Sequence, residues 1–307
     1  EGRTFQVRAA QLLAATGSIE RASPLPGWTL PGVMNAGAAQ IALKSSGIVP
    51  AGRILLVGAG PLLLLVATQL LDAGANVVGL VETAPANNRW GAMPHLPAAL
   101  GAASYLVKGL RMIRRVRSAR VPWHTAATEV RIEGSERAEA VLFTAAGRSH
   151  RIAADVVLLH HGVVPNTQIS RLLRVEHDWD AAQLAWKPRL DDWGQTSLAG
   201  LRIAGDSASI AGALAAEATG ALAALGAAEA LGRIDVAQRD ARAQPLRSAL
   251  AVQLRIRPFL DALYRPAQWL QQPADDTIVC RCEEVTAGRI REMARLGCQG
   301  PNQTKFF

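Results

Sequence analysis

Two glycines, at positions 58 and 60, lie between apolar runs in the sequence Val-Gly-Ala-Gly-Pro-Leu-Leu of residues 57–63. In a dinucleotide-binding turn the first glycine permits a sharp bend, and the second lets a pyrophosphate approach the backbone. The helix that follows offers unpaired N–H groups and the positive end of its dipole to the phosphates. Gly58, Gly60 and Pro61 are therefore candidate nucleotide-binding residues, and the alternative is a purely structural turn.

Glu82 and Leu63 qualify this interpretation. Glu82 ends the next apolar run, where a carboxylate can accept a hydrogen bond from a ribose 2′-OH, which favours NAD over NADP. Leu63 stands at the third glycine position, where glycine normally allows close packing of helix on strand. We therefore expect a displaced helix. The occupant stays open between NAD, another adenine nucleotide and no useful ligand.

Cys280 and Cys282 form a C-x-C pair, whose spacing suits two thiolates on one iron. A [2Fe–2S] cluster needs four protein ligands, so this pair would supply half of a set. Two idle thiols are the alternative. The chain has one further cysteine, Cys298, so the cysteines do not form a disulfide framework, and a reducing compartment is expected.

The elements that must position these residues follow from the apolar pattern. Residues 54–57 predict a buried strand, residues 62–73 a helix and residues 77–81 the next strand. Alternation of this kind is typical of a parallel sheet covered by helices. The predicted fold class is therefore α/β with Rossmann-type sheets.

The later part of the chain has a different pattern. Residues 128–160 predict a meander of short strands that ends in a buried strand at residues 155–159. Residues 206–232 predict an Ala-rich helix, broken or bent near Gly212 and Gly220.

Three further segments appear in a fixed order around the glycine turn: Ala-Thr-Gly at 15–17, His-Gly-Val-Val-Pro-Asn-Thr at 161–167, and Ala-Gly-Asp at 204–206. Together with that turn they resemble the flavoprotein disulfide-reductase-like fold of FAD/NAD-linked oxidoreductases. The resemblance covers residues 1–232. It implies that Gly205 and Asp206 hold FAD, with Asp206 on the ribityl chain, and that the crossings between the FAD and NAD domains contain Thr16, Gly17, Gly162 and Pro165.

Two features of that group are missing here. No G-x-G-x-x-G precedes residue 15, so we expect that the first FAD-binding turn was lost with the N-terminus. None of the three cysteines lies in the predicted FAD or NAD domains, so disulfide chemistry is set aside. The expected divisions are the end of the first FAD half-domain (1–50), the nucleotide-binding domain (51–160), the second FAD part (161–250), a linker (251–276) and a truncated iron–sulfur domain (277–307).

The segment from Cys280 onward resembles the bacterioferritin-associated-ferredoxin-like [2Fe–2S] domain. Thr286 can cap a helix with Ile290, Met293 and Leu296 on one face, and such helices follow the C-x-C pair in that domain. The resemblance implies that the remaining cluster ligands lie beyond Phe307.

The combination of a two-domain flavoprotein body with this module resembles the opine oxidase A subunits, the D-hydroxyproline dehydrogenase alpha subunits and the hydrogen cyanide synthase B subunits. The resemblance implies an electron-transfer subunit of a heteromeric FAD- and [2Fe–2S]-dependent dehydrogenase. Its partner would be a flavoprotein similar to D-amino-acid dehydrogenases and sarcosine oxidase beta, which would oxidise an amine, opine or amino acid. The absence of an acid/base or nucleophile constellation agrees with this role, and no catalytic residue is predicted.

Two alternatives stay open: a stand-alone NAD(P)H-dependent reductase for a ferredoxin-type acceptor, and a non-catalytic nucleotide-binding scaffold. Leu63 disfavours the reductase. A scaffold would be stabilised by any cofactor that binds only the folded state.

Net charge and hydropathy indicate whether the chain binds nucleic acid or spans a membrane. The formal net charge is +8, but its one basic cluster, at residues 108–120, contains no interleaved aromatic residues, so nucleic acid is not expected. The apolar run at residues 54–71 is interrupted by Gly and Pro, so no transmembrane segment is expected. We expect a bacterial-type cytoplasmic protein, with peripheral association at the inner membrane as an alternative.

Histidine and tryptophan residues are assigned structural roles. His160 and His161 end a buried strand without a carboxylate nearby in sequence, which favours a domain crossing over metal binding. Trp179, Trp186 and Trp193 are expected in a loop-like stretch that packs internally or faces a partner protein.

Overall fold

The computed structural model describes residue 2 and residues 4–306. These residues form two compact units. The first comprises the described residues up to Ile19 together with Ala92–Leu106 and Val163–Ala262. The second comprises Glu20–Gly91, Val107–Gly162 and the described residues from Leu263 onward.

The elements are numbered in chain order. The strands are β1 (Leu12–Ala14), β2 (Ser18–Glu20), β3 (Val33–Asn35), β4 (Ile54–Gly58), β5 (Val77–Glu82), β6 (Trp123–His124), β7 (Thr128–Glu133), β8 (Ala140–Ala145), β9 (Arg148–Ala153), β10 (Val156–His160), β11 (Val163–Pro165), β12 (His177–Asp180), β13 (Ala185–Pro188), β14 (Leu201–Ile203), β15 (Ile278–Cys280) and β16 (Val285–Thr286). The α-helices are α1 (Ala36–Ser46), α2 (Pro61–Asp72), α3 (Asn88–Ala92), α4 (Leu96–Leu100), α5 (Ala103–Ser118), α6 (Gln168–Leu172), α7 (Ala213–Ala230), α8 (Val236–Leu254), α9 (Arg257–Leu263), α10 (Gln268–Gln271), α11 (Ala287–Arg295) and α12 (Pro301–Phe306).

The second unit is built on a parallel sheet in the order β3-β10-β4-β5-β6. Strands β4 and β10 are buried along their whole length, as expected for central strands covered on both faces. This sheet confirms the predicted α/β class.

Alternate residues of β4 face opposite sides of the sheet, as the period of two requires. Ile54 and Leu56 pack in a core with α1, α2 and α5, whereas Leu55 and Val57 pack in a second core with the antiparallel meander β7-β8-β9. Burial of each such side chain stabilises the fold by about 1.5–3 kcal/mol. The carboxyl edge of the sheet is thereby held rigid between two cores.

Leu63 belongs to the core on the helical side of the sheet and is 1% exposed. The residue that replaces a glycine of the nucleotide-binding motif is thus a packing residue between α2 and the sheet. The predicted displacement of α2 remains a prediction.

The first unit contains the parallel pair β1–β14 and the helices α7 and α8. Arg202 of β14 is buried, and its guanidinium donates hydrogen bonds to the carbonyl oxygens of Trp193 and Gly226. These bonds join a loop and α7 to the strand, and they satisfy a charge that would otherwise be costly to bury.

Two expectations about elements were wrong. Trp179 and Trp186 lie in the antiparallel hairpin β12–β13 rather than in a loop, and their rings meet edge to face with centroids 5.5 Å apart. The helix predicted at residues 206–232 is interrupted at Gly212, as expected: Gly212 has φ +98° and is the N-cap of α7, which begins at Ala213. The break expected at Gly220 does not occur, because α7 continues through that residue. Residues 251–276 contain α9 and α10, and their assignment as a linker stays a prediction.

Candidate functional site

The glycine turn connects β4 to α2 at the carboxyl edge of the parallel sheet. Gly58 has φ +142°, and a Cβ atom there would lie 1.8 Å from the carbonyl oxygen of His160, so only glycine fits. Gly60 has φ +114° and is the N-cap of α2, which no side chain caps. The first N–H groups of α2 therefore remain available to an anion.

Glu82 lies beside this turn, as the sequence predicts. β5 pairs with β4 so that Glu82 is in register with Gly58, and the N–H of Thr83 donates to the Gly58 carbonyl over 2.9 Å. The structure thus brings Gly58, Gly60, Pro61 and Glu82 together at one edge of the sheet.

The carboxylate of Glu82 already has partners within the chain. Its Oε2 accepts a hydrogen bond of 3.2 Å from Trp123 Nε1. Burial raises the pKa of Glu82, and the Trp123 bond and the charge of Arg89 oppose that rise. Burial raises the pKa of Tyr264 to about 12, and the negative charge of Glu82 adds to this rise.

His160 and Glu20 form a pair behind the glycine turn that sequence reasoning missed. His160 Nδ1 lies 2.7 Å from Glu20 Oε1, and the N–H of Gly37 donates to Glu20 Oε2 over 2.9 Å. His160 is 3% exposed, and its Nε2 faces Gly60, 3.7 Å from the ideal position of a Cβ there. The pair thus supports both the turn and the start of α1. No local pattern could have revealed it, because the partners are 140 residues apart.

His161, the next residue, is a buried neutral imidazole. Burial, together with the positive charges of His160 and Arg21, lowers its pKa to about 3. Its carbonyl accepts a hydrogen bond of 3.2 Å from Arg21 Nε. Among the residues that the structure describes, no group of three or more His, Cys, Asp or Glu side chains could hold a metal. The geometry supports a structural role for this histidine pair.

The first unit contains the candidate residues Thr16, Gly17, Pro165, Gly205 and Asp206. Thr16 Oγ1 donates to the Asn166 carbonyl over 3.0 Å, and the Asn166 N–H donates to the Gly17 carbonyl over 3.0 Å, so the segments at 15–17 and 161–167 are joined there. Pro165 is buried at the end of β11. In the second unit, Gly162 has φ +94° and accepts a hydrogen bond from the Arg21 N–H.

Gly205 and Asp206 follow β14 in a 3-10 turn. Asp206 Oδ1 accepts a hydrogen bond of 3.4 Å from the Ala211 N–H. α7 begins after Gly212, no side chain caps it, and the space beside Gly212 is open. A carboxylate and an uncapped helix N-terminus thus lie in one short loop.

The C-x-C pair lies at the hairpin β15–β16. Cys280 Sγ and Cys282 Sγ are 3.3 Å apart. Thr286 accepts from the Arg289 N–H and caps α11, as predicted. Since no cluster of three potential metal ligands occurs in the described part of the chain, these residues supply at most half of what a [2Fe–2S] cluster requires. The described residues by themselves do not fit that cluster.

A family model for pyridine nucleotide-disulphide oxidoreductases matches residues 1–239 of the chain. The chain belongs to this family. All three cysteines lie after residue 239, so the family name does not imply disulfide chemistry in the matched region.

Two kinds of relative add to the family assignment. The A subunit of opine oxidase from Rhizobium meliloti is 43% identical over 307 residues, which is 100% of this chain and 58% of the relative. The hydrogen cyanide synthase component HcnB of Pseudomonas aeruginosa, also a subunit by name, is 32% identical over 97% of this chain and 65% of the relative. These similarities confirm the predicted resemblance to opine oxidase A subunits and hydrogen cyanide synthase B subunits. The chain spans about three fifths of the length of such relatives.

A solved structure, L-proline dehydrogenase from P. horikoshii, matches with a TM-score of 0.59 at 16% identity, over 94% of this chain and 46% of that chain. It shows the shared fold and confirms the predicted α/β fold class with Rossmann-type sheets. Among the described residues, no helix is long and apolar enough to cross a membrane.

Proposed function

We propose that this chain is the electron-transfer subunit of a heteromeric flavin-dependent dehydrogenase that acts on opines or related amines and amino acids. The observation that carries the proposal is the 43% identity, along the whole chain, with proteins named as the A subunits of opine oxidases. The candidate sites support it, because they consist of turns and helix ends suited to cofactors rather than of a nucleophile with a positioned base.

FAD is the proposed cofactor of the first unit. Asp206 would hold its ribityl chain, and the uncapped N-terminus of α7 would face its pyrophosphate. The open space beside Gly212 supports this fit, since a backbone without a Cβ lets a phosphate approach. FAD supplies two-electron acceptance when it is bound. We propose that the chain crosses between the FAD and nucleotide-binding domains at Thr16, Gly17, Gly162 and Pro165.

An adenine nucleotide is the proposed ligand of the second unit. Its phosphates would lie at Gly58, Gly60 and Pro61, and its ribose beside Glu82. Cys280 and Cys282 would supply half of the ligands of a [2Fe–2S] cluster in the complete protein.

The proposed partner is a flavoprotein similar to D-amino-acid dehydrogenases, which would oxidise the substrate and deliver electrons to this chain. The relatives are named as subunits, which supports a heteromer. We propose a cytoplasmic complex or one bound peripherally to the inner membrane.

A nucleotide-binding scaffold is the second candidate function. It is favoured by the surroundings of Glu82, because Trp123 already donates a hydrogen bond to the carboxylate that would recognise a ribose. A nucleotide held there would stabilise the complex without carrying electrons.

The deciding experiment is an anaerobic titration of the complete complex, followed by flavin absorbance. Bleaching by an opine or amino acid, and none by NADH, is the expected result. Stoichiometric bleaching by NADH would instead establish a stand-alone NAD(P)H reductase. A complex that bleaches equally well when the nucleotide site of this chain is disabled by Gly60→Val would support the scaffold for that site.

A further inference from the structure

The net charge of the chain comes almost entirely from one segment. Residues 83–128 contain seven Lys and Arg residues and no Asp or Glu, so they contribute +7 of the formal net charge of +8. The other residues contain 26 Lys and Arg against 25 Asp and Glu, so they contribute only +1. A charge asymmetry of this kind indicates an anionic partner, either nucleic acid or a membrane surface.

Most of these cations lie on α5. Its part from residue 107 onward belongs to the second unit, where Met112 and Val116 pack in the core on the helical side of the sheet. Because an α-helix has about 3.6 residues per turn, Arg111 and Arg114 lie on the side away from that core. Both are exposed, as are Lys108 and Arg117 beside them.

The cations of α5 are largely uncompensated within the chain. Arg115 forms an ion pair of 2.7 Å with Asp72 of α2. Lys108, Arg111 and Arg114 form no ion pair with an acidic side chain among the described residues. Like charges three or four residues apart on a helix repel each other, so an anionic surface beside α5 would relieve that repulsion.

The two other helices on that side of the sheet are equally poor in acidic residues. α1 and α2 together contain one cation, Lys44, and one acid, the Asp72 that pairs with Arg115. Exposed aliphatic side chains lie on the same helices as the cations: Ile41 of α1 is 68% exposed and Leu110 of α5 is 61% exposed. Exposed cations with aliphatic neighbours and few anions are typical of a surface that rests on lipid headgroups.

The opposite side of the sheet has a different charge balance. Residues 129–155, which include most of the meander, contain four Arg and five Asp or Glu. Some of these charges are paired, as Arg151 is with Glu133 and Asp155 with Arg53. The positive surface of the second unit thus lies on its helical side.

The composition of this surface favours a lipid bilayer over a protein or a nucleic acid. Protein interfaces depend on a few aromatic and arginine anchors in well-packed pockets, and single-stranded nucleic acid stacks on aromatic side chains. Residues 107–118 contain no aromatic residue and no Asn or Gln. Long Lys and Arg side chains can instead reach lipid phosphates while short aliphatic side chains enter the headgroup layer.

We propose that the helical side of the second unit, with α5 as its main contact, binds the surface of a bilayer that contains anionic lipids. The exposed cations of α5 would contact the lipid phosphates, and Leu110 would enter the headgroup layer. This surface would anchor the membrane-bound form of the complex proposed above, on which the inference rests.

The first test compares two matched pairs of substitutions in the complete, flavin-loaded protein. Arg111→Gln with Arg114→Gln removes two charges from α5. Arg131→Gln with Arg148→Gln is the control, because both residues are exposed, pair with no described acidic side chain and lie on the meander at the other side of the sheet. Cosedimentation would measure binding to vesicles of phosphatidylglycerol and phosphatidylcholine in equal parts, and to vesicles of phosphatidylcholine alone.

The wild type should bind only the vesicles that contain phosphatidylglycerol, and raised salt should release it because exposed charges are screened. The α5 pair should weaken binding about 10- to 30-fold, the loss expected for two cations near an anionic surface, and the control pair should bind like the wild type. Equal losses in the two pairs would mean that net charge and not α5 governs binding, which contradicts the proposal. Absence of binding to either kind of vesicle would also overturn it.

The second test measures the aliphatic contribution. Leu110→Ser should weaken binding to the anionic vesicles about 3- to 10-fold, because a partly buried leucine is lost from the headgroup layer. Leu172→Ser is the control, since Leu172 is 81% exposed on α6 of the first unit, and it should leave binding unchanged. Equal effects of these two substitutions would contradict insertion of α5.

A third measurement separates the membrane from a protein partner and from the proposed electron transfer. The α5 pair should keep its affinity for the partner flavoprotein; loss of that affinity with unchanged vesicle binding would make α5 a subunit interface and overturn the proposal. Flavin bleaching by the substrate without vesicles should be the same in the wild type and the α5 pair. A complex that no substrate bleaches would contradict the proposed function while the vesicle result stands.

Discussion

At the scale of single residues, the carboxyl edge of the sheet contains a glycine that no other residue can replace without a clash and a histidine whose pKa is lowered by burial. Gly58 has no room for a side chain beside His160, and His161 is buried without a charge. Both features arise where β4 and β10 run side by side and end together. They can be tested one substitution at a time.

Gly58→Ala is expected to destabilise the protein by more than about 3 kcal/mol, because a Cβ 1.8 Å from the His160 carbonyl oxygen forces the two strands apart in addition to the strain at φ +142°. Urea unfolding measures the change. Gly109→Ala is the control: it lies inside α5 with open space around it, and should stabilise by about 0.5–1 kcal/mol. Equal effects of the two variants would contradict the steric explanation.

His161 is expected to weaken the fold in acid. Its pKa is about 3 in the folded protein and about 6.5 in an unfolded chain. Between these values the unfolded chain binds a proton that the folded chain excludes, so stability contributed at neutral pH is lost as the pH falls below about 6.5. At pH 4.5 the loss from this residue should be about 2–3 kcal/mol.

Urea unfolding of the wild type and of His161→Gln, at pH 7 and at pH 4.5, checks this expectation. The variant should lose less stability than the wild type over that interval. His95→Gln, which changes an exposed imidazole, should behave like the wild type. An unchanged pH dependence in His161→Gln would show that His161 is not the group responsible.

At the scale of elements, much of the second unit follows from local sequence rules. The strand–turn–helix around Gly58 and Gly60, the meander and the cap at Thr286 agree with prediction, because backbone geometry and side-chain period decide them within a few residues. The hairpin at Trp179 was missed. Its strands are only four residues long, too short for alternation to be distinguished from loop.

The burial of Tyr264, four residues before α10, can be measured through the pKa of its phenol. The chain has two tyrosines, Tyr105 and Tyr264. Burial and Glu82 raise the pKa of Tyr264 to about 12, so its phenolate should appear only above the range of an ordinary tyrosine. Stability linked to the neutral phenol is present below about pH 10 and is lost as the pH rises toward 12.

Absorbance at the phenolate band during alkaline titration measures this effect. We expect one step in phenolate absorbance at unusually high pH. Tyr264→Phe should remove this step, and Tyr105→Phe should retain it. If this step remained in Tyr264→Phe, Tyr264 would not be the tyrosine whose pKa burial raises.

At the scale of the whole molecule, the chain combines a region that matches the family model with a later segment that contains the cysteines. The matched family region ends at residue 239, and the C-x-C pair lies beyond it. Relatives along the whole chain are named as subunits, which supports the proposal that electron transfer takes place in an assembly.

Cys282→Ser in the complete protein is expected to abolish the electron paramagnetic resonance signal of a reduced [2Fe–2S] cluster, because one of four thiolate ligands is lost. Flavin content should remain, since the cysteine lies outside the family region. Cys298→Ser serves as the control and should retain the cluster. A signal that survives Cys282→Ser but not Cys298→Ser would mean that Cys298, and not Cys282, is a ligand of the cluster.

Sequence alone determined the features that depend on neighbours along the chain: the glycine turn, the order of the motifs that identifies the family, and the helix cap at Thr286. Tertiary structure decided which distant groups meet. Glu20 reaches His160, Trp123 donates a hydrogen bond to Glu82, and residues of α10 line a cleft together with Thr83. Local rules act through backbone dihedrals and side-chain period, whereas these contacts depend on how buried surfaces pack, and no short pattern encodes that packing.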